Sequence, residues 1–284
     1  MRWTPGGKSS DLEDRRGSSG GLGGFGGGGM KIGLGGAAVL LVLSLVFKQN
    51  FFALVGGGAG GGEPTASGPV ASTPEEEQRV EFVSAVLDST QNTWERLFQA
   101  RGQQYERAKL VLFRDQIQSA CGFGSAATGP FYCPGDQRVY IDLGFYDELH
   151  ERFGAPGDFA QAYVLAHELG HHVQRLQGTE AQVREAQQRR PDQANQLSVA
   201  LELQADCYAG VWGYEAAQKG MLETGDVEEG LGAAAAVGDD RIQRMQGQGV
   251  HPDGFTHGSS EQRTTWFRRG LQSGRPEDCD PFQG

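Results

Sequence analysis

Residues 167–171 read His-Glu-Leu-Gly-His. On an α-helix, positions four apart lie one above the other on the same face, so His167 and His171 can offer two imidazole nitrogens to one cation. Glu168 follows His167 by one position and sits to the side of that pair. From there its carboxylate can reach a metal-bound water without being a ligand. Two imidazole ligands and a general base on one helix is the arrangement of zinc hydrolases. The bland alternative is a helix that carries two surface histidines. Ala162, Tyr163, Val164, Leu165, Ala166, Leu169 and Val173 make the segment apolar nearly all round, so it is expected to be buried. Buried histidines and a buried glutamate need partners, and one metal ion satisfies all of them together.

A catalytic zinc needs a third protein ligand and an open position. The metzincin completion requires glycine at position 174 and histidine at 177, where this chain has Gln174 and Gln177, and it is excluded. The other common completion is a carboxylate from a later helix. In Leu201-Glu202-Leu203-Gln204-Ala205-Asp206, Glu202 and Asp206 are again four apart and share a face. Glu202 is the expected third ligand of a single Zn²⁺. Asp206 is expected to accept a hydrogen bond from the non-coordinating N–H of a zinc histidine, and is the alternative ligand. The bland reading, two acids on a solvated face, conflicts with the apolar residues around them. Hydrolysis also needs a donor for the oxyanion. His257 is assigned that role, with Tyr208 behind it. The competing reading of His257 is a loop histidine beside a helix start at Ser259. His172 points about 100° away from His171 on the helix and is read as structural.

These residues must be positioned by an α+β body dominated by helix. The metal helix is expected over 159–177, with Asp158 as N-cap and Gly178 as stop. Further helices are expected over 193–219, 227–245 and 260–272. Thr73-Pro74-Glu75-Glu76 forms a helix start, followed by Val83, Val86, Leu87, Trp94, Leu97 and Phe98 at helical spacing. Strands are expected over 109–113 and 138–143. The second of these precedes the metal helix and is read as the edge strand to which an extended substrate adds.

Ahead of that body the composition changes. Residues 1–29, rich in Gly, Ser and charge, read as a disordered cytoplasmic tail. Residues 30–55 contain a 16-residue non-ionic run, 32–47, between Lys31 and Lys48, extended by an apolar stretch at 51–55. With snorkelling lysines this approaches the roughly 20 residues that span a bilayer. A cleaved signal peptide and a buried core helix are the alternatives. The long stretch ahead of the run, the missing cleavage site and the flanking Gly-rich segments favour an uncleaved transmembrane anchor. Five basic residues precede it, placing the N-terminus in the cytoplasm and the rest outside the cell membrane. Residues 56–74 read as a flexible linker, and 75–284 as the catalytic domain.

The chain carries 25 basic and 36 acidic side chains, and residues 75–284 hold 19 and 32 of them. That acidity excludes nucleic acid as a partner, since phosphate neutralisation needs basic clusters. Among the four cysteines no Cys-x-x-Cys pair occurs, which leaves a thiolate zinc site unsupported. Cys121 with Cys133 suits a local disulfide across a Gly-rich loop, and Cys207 with Cys279 is a candidate second bridge. Spacing alone allows three connectivities.

His-Glu-Leu-Gly-His-His-Val-Gln at 167–174 and Glu-Leu-Gln-Ala-Asp-Cys-Tyr-Ala-Gly-Val-Trp at 202–212 resemble the bacterial family of neutral zinc metallopeptidases. The resemblance extends to Met1-Arg2-Trp3, to Leu12-Glu13-Asp14-Arg15-Arg16-Gly17, to Tyr132-Cys133-Pro134 with Val139-Tyr140-Ile141-Asp142, and to the segment from Thr256 to Arg263. It implies a zincin-like, gluzincin-type, membrane-anchored peptidase acting on peptide or protein substrates, with Glu168 as base for a zinc-activated water. A catalytically inactive zinc protein serving as an envelope binding or scaffold module is the alternative. An amidase or esterase would use the same chemistry.

Overall fold

The computed structural model describes residues 1–17, 72–125 and 129–282. Helix α1 (Pro74–Gln99) begins as its sequence demands: the Thr73 hydroxyl accepts the Glu76 N–H at 3.2 Å, and Pro74 occupies a position that needs no donor. Glu75, Glu76 and Glu77 then sit at the positive end of the helix. Its buried stripe, including Val80, Val83, Leu87, Trp94 and Phe98, faces the core.

A four-stranded mixed sheet runs in the order β1 (Leu12–Asp14), β2 (Lys109–Phe113), β6 (Arg138–Asp142), β5 (Phe131–Cys133). The β1–β2 and β2–β6 pairs are parallel, and β5 runs antiparallel to β6 with Phe131 opposite Tyr140. The sheet is covered on both faces, which explains the uninterrupted apolar run of β2. Leu110 and Leu112 enter the main core with α1, while Val111 and Phe113 pack with Tyr140 and Cys133 on the other side. A separate hairpin, β3 (Gln116–Ser119) and β4 (Gly122–Ser125), is tied to β5 by the Cys121–Cys133 disulfide.

Helix α2 (Phe145–Glu151) leads into α3 (Asp158–Gln177), whose central turns are buried. Then come α4 (Thr179–Arg189), α5 (Ala194–Gln218), α6 (Asp226–Ala236), α7 (Asp239–Met245) and α8 (Ser260–Ser273). Helix α3 packs on α5, α6 and α1, and α8 packs on α5. Two close approaches depend on glycine. A Cβ at Gly170 would stand 3.0 Å from the Ala205 carbonyl oxygen, and one at Gly270 would collide with the Cys207 carbonyl at 1.9 Å. The α3–α5 approach brings the 167–171 face onto the 202–206 face.

Several expectations are corrected. Residues 1–17 are not a disordered tail: they supply β1, and the Met1 ammonium binds Asp158 at 2.6 Å and Asp226 at 3.3 Å. With few apolar residues and no periodicity, this segment has no sequence signal; its order comes from ion pairs to distant residues. The 138–143 strand is not an edge, because β5 covers it. The single helix expected over 227–245 is two, parted at Val237 and Gly238, since the chain there lies against Ser260 too closely for any Cβ on Gly238. Asp158 is the first residue of α3, and Gly157 is its N-cap. Residues 18–29, the anchor at 30–55 and the linker up to residue 71 lie outside the described residues. No helix among the described residues is long and apolar enough to cross a membrane.

Candidate metal centre

Helices α3 and α5 bring together His167, His171 and Glu202, whose ligand atoms all lie within 4.8 Å of one another. Glu202 Oε2 is 3.2 Å from His167 Nε2, and Oε1 is 3.4 Å from His171 Nε2. Ligands bound tetrahedrally at about 2.0–2.1 Å stand about 3.3 Å apart, so the two separations between Glu202 and the histidines are close to those zinc requires. The imidazole planes are perpendicular, at 89°.

The other ring nitrogens are tied down, which fixes Nε2 as the free donor on each ring. His171 Nδ1 donates to Gln174 Oε1 at 2.9 Å. Gln174 in turn donates to the Leu201 carbonyl and to Gln204, and Gln204 donates to the Cys279 carbonyl. The glutamine that excludes the metzincin completion is thus the residue that orients His171. His167 Nδ1 donates to Asp206 Oδ1 at 2.9 Å.

Asp206 is fully buried and accepts three further hydrogen bonds: from the Tyr163 hydroxyl at 2.5 Å, and from Arg263 Nε at 2.8 Å and Nη2 at 2.9 Å. Its oxygens are occupied, and it is absent from the cluster of potential ligand atoms. The two acids, equivalent in sequence, are therefore placed differently. Burial alone would favour the neutral forms of both carboxyls. The His171 and His167 imidazoles hold Glu202 well below the usual range, and Arg263 with His167 lowers Asp206 against its burial. Burial likewise opposes charge on His167, but Asp206 and Glu202 outweigh it and raise the imidazolium to about 10. With both acids ionised and Arg263 charged, the site carries one net negative charge once the imidazoles give up their protons to a metal, which suits a divalent cation.

Glu168 is buried, and its carboxylate has no protein partner among the described residues. It lines a cleft of about 760 Å³ together with His167, His171, Glu202, His257 and Arg263. Phe145, Phe153, Val164, Ile242 and Met245 form apolar wall, and Gly129, Pro130, Phe131 and Tyr132 bring the edge strand β5 to the rim. His257 lines the same cleft. Asp239 accepts from His257 Nδ1 at 3.1 Å and from the backbone N–H groups of Thr256, His257 and Gly258. That carboxylate, together with the charge on Glu202, raises the His257 pKa despite partial burial.

The structure does not bring Tyr208 to the site. Its hydroxyl donates to Gln177 and its ring packs edge-on against Trp94. His172 is structural as expected: its Nε2–H donates to the Glu106 carbonyl at 2.6 Å, so Nδ1 accepts the Tyr132 hydroxyl at 3.0 Å. The cysteines pair 121–133 and 207–279. The second bridge ties the residue after Asp206 to the C-terminal segment. Among the described residues the other acidic cluster, Asp158, Asp226 and Glu229, lies where the Met1 ammonium binds. Sequence reasoning missed Tyr163, Arg263 and Asp239. Tyr163 stands four residues before His167 on the same helical face, and that spacing was a usable signal.

A helix-borne His-Glu-x-x-His pair, joined by a carboxylate from a second helix and opening on a cleft, is a candidate metal centre with the arrangement of zinc hydrolases. Residues 1–282 match the family described as "Putative neutral zinc metallopeptidase", and the chain belongs to that family. It is 46% identical over 284 residues to the uncharacterized protein YpfJ of Escherichia coli (strain K12), covering 99% of each chain. It is also 41% identical over 212 residues to the uncharacterized protein Rv2575 of Mycobacterium tuberculosis (strain ATCC 25618 / H37Rv), covering 71% of each. No solved structure matches the chain.

Proposed function

We propose that this protein is a zinc-dependent metallopeptidase that hydrolyses peptide bonds, with Glu168 as general base. The observation that carries the reading is the pairing of a three-residue donor set with a buried, unpartnered carboxylate beside it on the cleft wall. A purely structural zinc site usually closes with four protein ligands and has no use for such a base. His167, His171 and Glu202 would hold the ion. When bound, zinc supplies Lewis acidity, which polarises the scissile carbonyl and makes water acidic near neutral pH. Glu168 accepts the proton of the water whose oxygen attacks the carbonyl carbon. It then delivers that proton to the leaving amine as the C–N bond breaks. His257, held through Nδ1 by Asp239, keeps Nε2 to donate to the oxyanion. Asp206 and Gln174 keep both ligand rings in register.

Peptide as the substrate class is supported by the position of β5. It is the last strand of its sheet among the described residues, and its residues reach the cleft rim, so an extended chain can add to it through backbone hydrogen bonds. The two disulfides support an oxidising compartment outside the cytoplasm, at a membrane engaged by the apolar run 32–47.

The test is zinc content and cleavage of a broad peptide library by wild type and by Glu168→Gln. The expected result is equal zinc in both and cleavage by wild type alone. Equal zinc with no cleavage by either would instead leave a binding module. Turnover confined to ester or non-peptide amide substrates would move the assignment to that chemistry.

A further inference from the structure

The N-terminal 17 residues pack with the remainder of the body as an integral part of it. Leu110 N–H donates to the Asp11 carbonyl and Arg15 N–H to the Leu112 carbonyl, extending the β1–β2 ladder at both ends. Asp11 is buried and binds Arg107 at 2.6 Å and Lys109 at 2.8 Å. Trp3 meets Phe82 of α1 edge-on, and Ser9 donates to Asp88. The Arg16 side chain is fully buried. It binds Asp14 at 2.7 Å, Glu76 at 2.9 Å and Glu77 at 2.8 Å, and donates to Ser72 Oγ at 3.2 Å. The family match also begins at residue 1.

Arg16 and Ser72 flank the segment that holds the apolar run. A chain crossing a bilayer once between them would separate them by a hydrocarbon layer about 30 Å thick. The observed separation is 3.2 Å. Loss of the contact would break the ion pairs of Arg16 with Glu76 and Glu77 and of the buried Asp11 with Arg107 and Lys109, together with the β1–β2 ladder.

From this juxtaposition we infer that residues 1–17 and 72–282 lie on the same side of the membrane, so the intervening chain crosses it an even number of times. Two crossings would need about 40 apolar residues. Between residues 17 and 72 the sequence offers a run of 16 and a second of five. The sequence between residues 17 and 72 thus falls short of what two crossings require. This proposal differs from the single-pass topology expected from charge bias, which counts Arg16 as a free positive charge although it is buried in ion pairs.

The test uses the full chain in intact bacterial cells and two exposed reporters, Ser10→Cys and Gln188→Cys, each made separately. Each is probed with a membrane-impermeant maleimide before and after lysis. Equal labelling of both in intact cells, or protection of both until lysis, is expected and identifies the side. Labelling of one with protection of the other overturns the inference. A second pair, Thr4→Cys and Glu185→Cys, repeats the comparison in case either reporter disturbs folding or disulfide pairing. Peptidase activity does not enter the readout, so the result stands apart from the functional assignment.

Discussion

Replacing Arg263 by Met removes the only guanidinium that touches the Asp206 carboxylate among the described residues while keeping a long apolar side chain in its place. Arg263 is 4% exposed and Asp206 is fully buried, with two hydrogen bonds between them at 2.8 and 2.9 Å. Breaking a buried pair from one side costs about 3–5 kcal/mol, because the remaining charge stays unpaired. In a body of this size each kcal/mol moves the melting temperature by about 2–4 °C, so a fall of about 6–20 °C is expected in the zinc-free protein. Asp206 would still accept from Tyr163 and His167 but would lose its guanidinium counter-charge, and the His167–Asp206 contact would lose the group that holds Asp206 in place. Loss of such a supporting contact typically weakens metal binding about 10–100-fold. Thermal melts in chelator and competitive zinc titration with a chromophoric chelator measure the two effects separately. Arg263→Lys should fall between, since an ammonium cannot reproduce the two-pronged contact. A Met variant that melts within about 2 °C of wild type, less than the shift from a single kcal/mol, and binds zinc equally would refute the account of Arg263 as the clamp of this site.

Other outcomes follow from the same geometry. His257→Ala should lower kcat about 10²–10³-fold with zinc content unchanged, the loss expected for one oxyanion donor, as read by steady-state kinetics. Asp14 is held at about 2, chiefly by its hydrogen bonds to Arg16, and Glu77 at about 2 by Ser72 and Arg16. Both lie below their ordinary values of 3.8 and 4.5. Their contribution is present above pH 4.5 and lost as pH falls toward 2, so melting temperatures should drop across that window and drop less in Arg16→Ala. Removing Cys207–Cys279, which closes 72 residues, should cost about 4 kcal/mol, against about 3 for Cys121–Cys133, which closes 12, by denaturant melts of paired alanine variants.

How far the site could be read in advance depended on distance along the chain. His167, Glu168 and His171 share one helix, so their geometry follows from 3.6 residues per turn. Glu202 and Asp206 were visible as a pair for the same reason. Arg263 was not: it lies 57 residues beyond Asp206, on a helix whose pattern gives no sign that one arginine faces inward. Asp239 was hidden inside what reads as a continuous helix. The short strands β1 and β5 were missed because three residues carry no usable period, and β1 is held by its ladder to β2 and by ion pairs, in and beside the strand, to residues 60 to 125 positions away.

Local periodicity and donor chemistry were enough to determine from sequence a metal helix, its general base and a carboxylate helix to complete the donor set, because those relations are intrahelical. Only the tertiary structure decided which acid faces the ligand nitrogens, since Glu202 and Asp206 are separated by what packs against each. It also decided that β5 rather than β6 borders the cleft, and that the first 17 residues belong to the folded body. Those choices rest on strand order, on the glycine-permitted approach of α3 to α5, and on buried ion pairs between residues far apart in the chain, none of which leaves a local pattern.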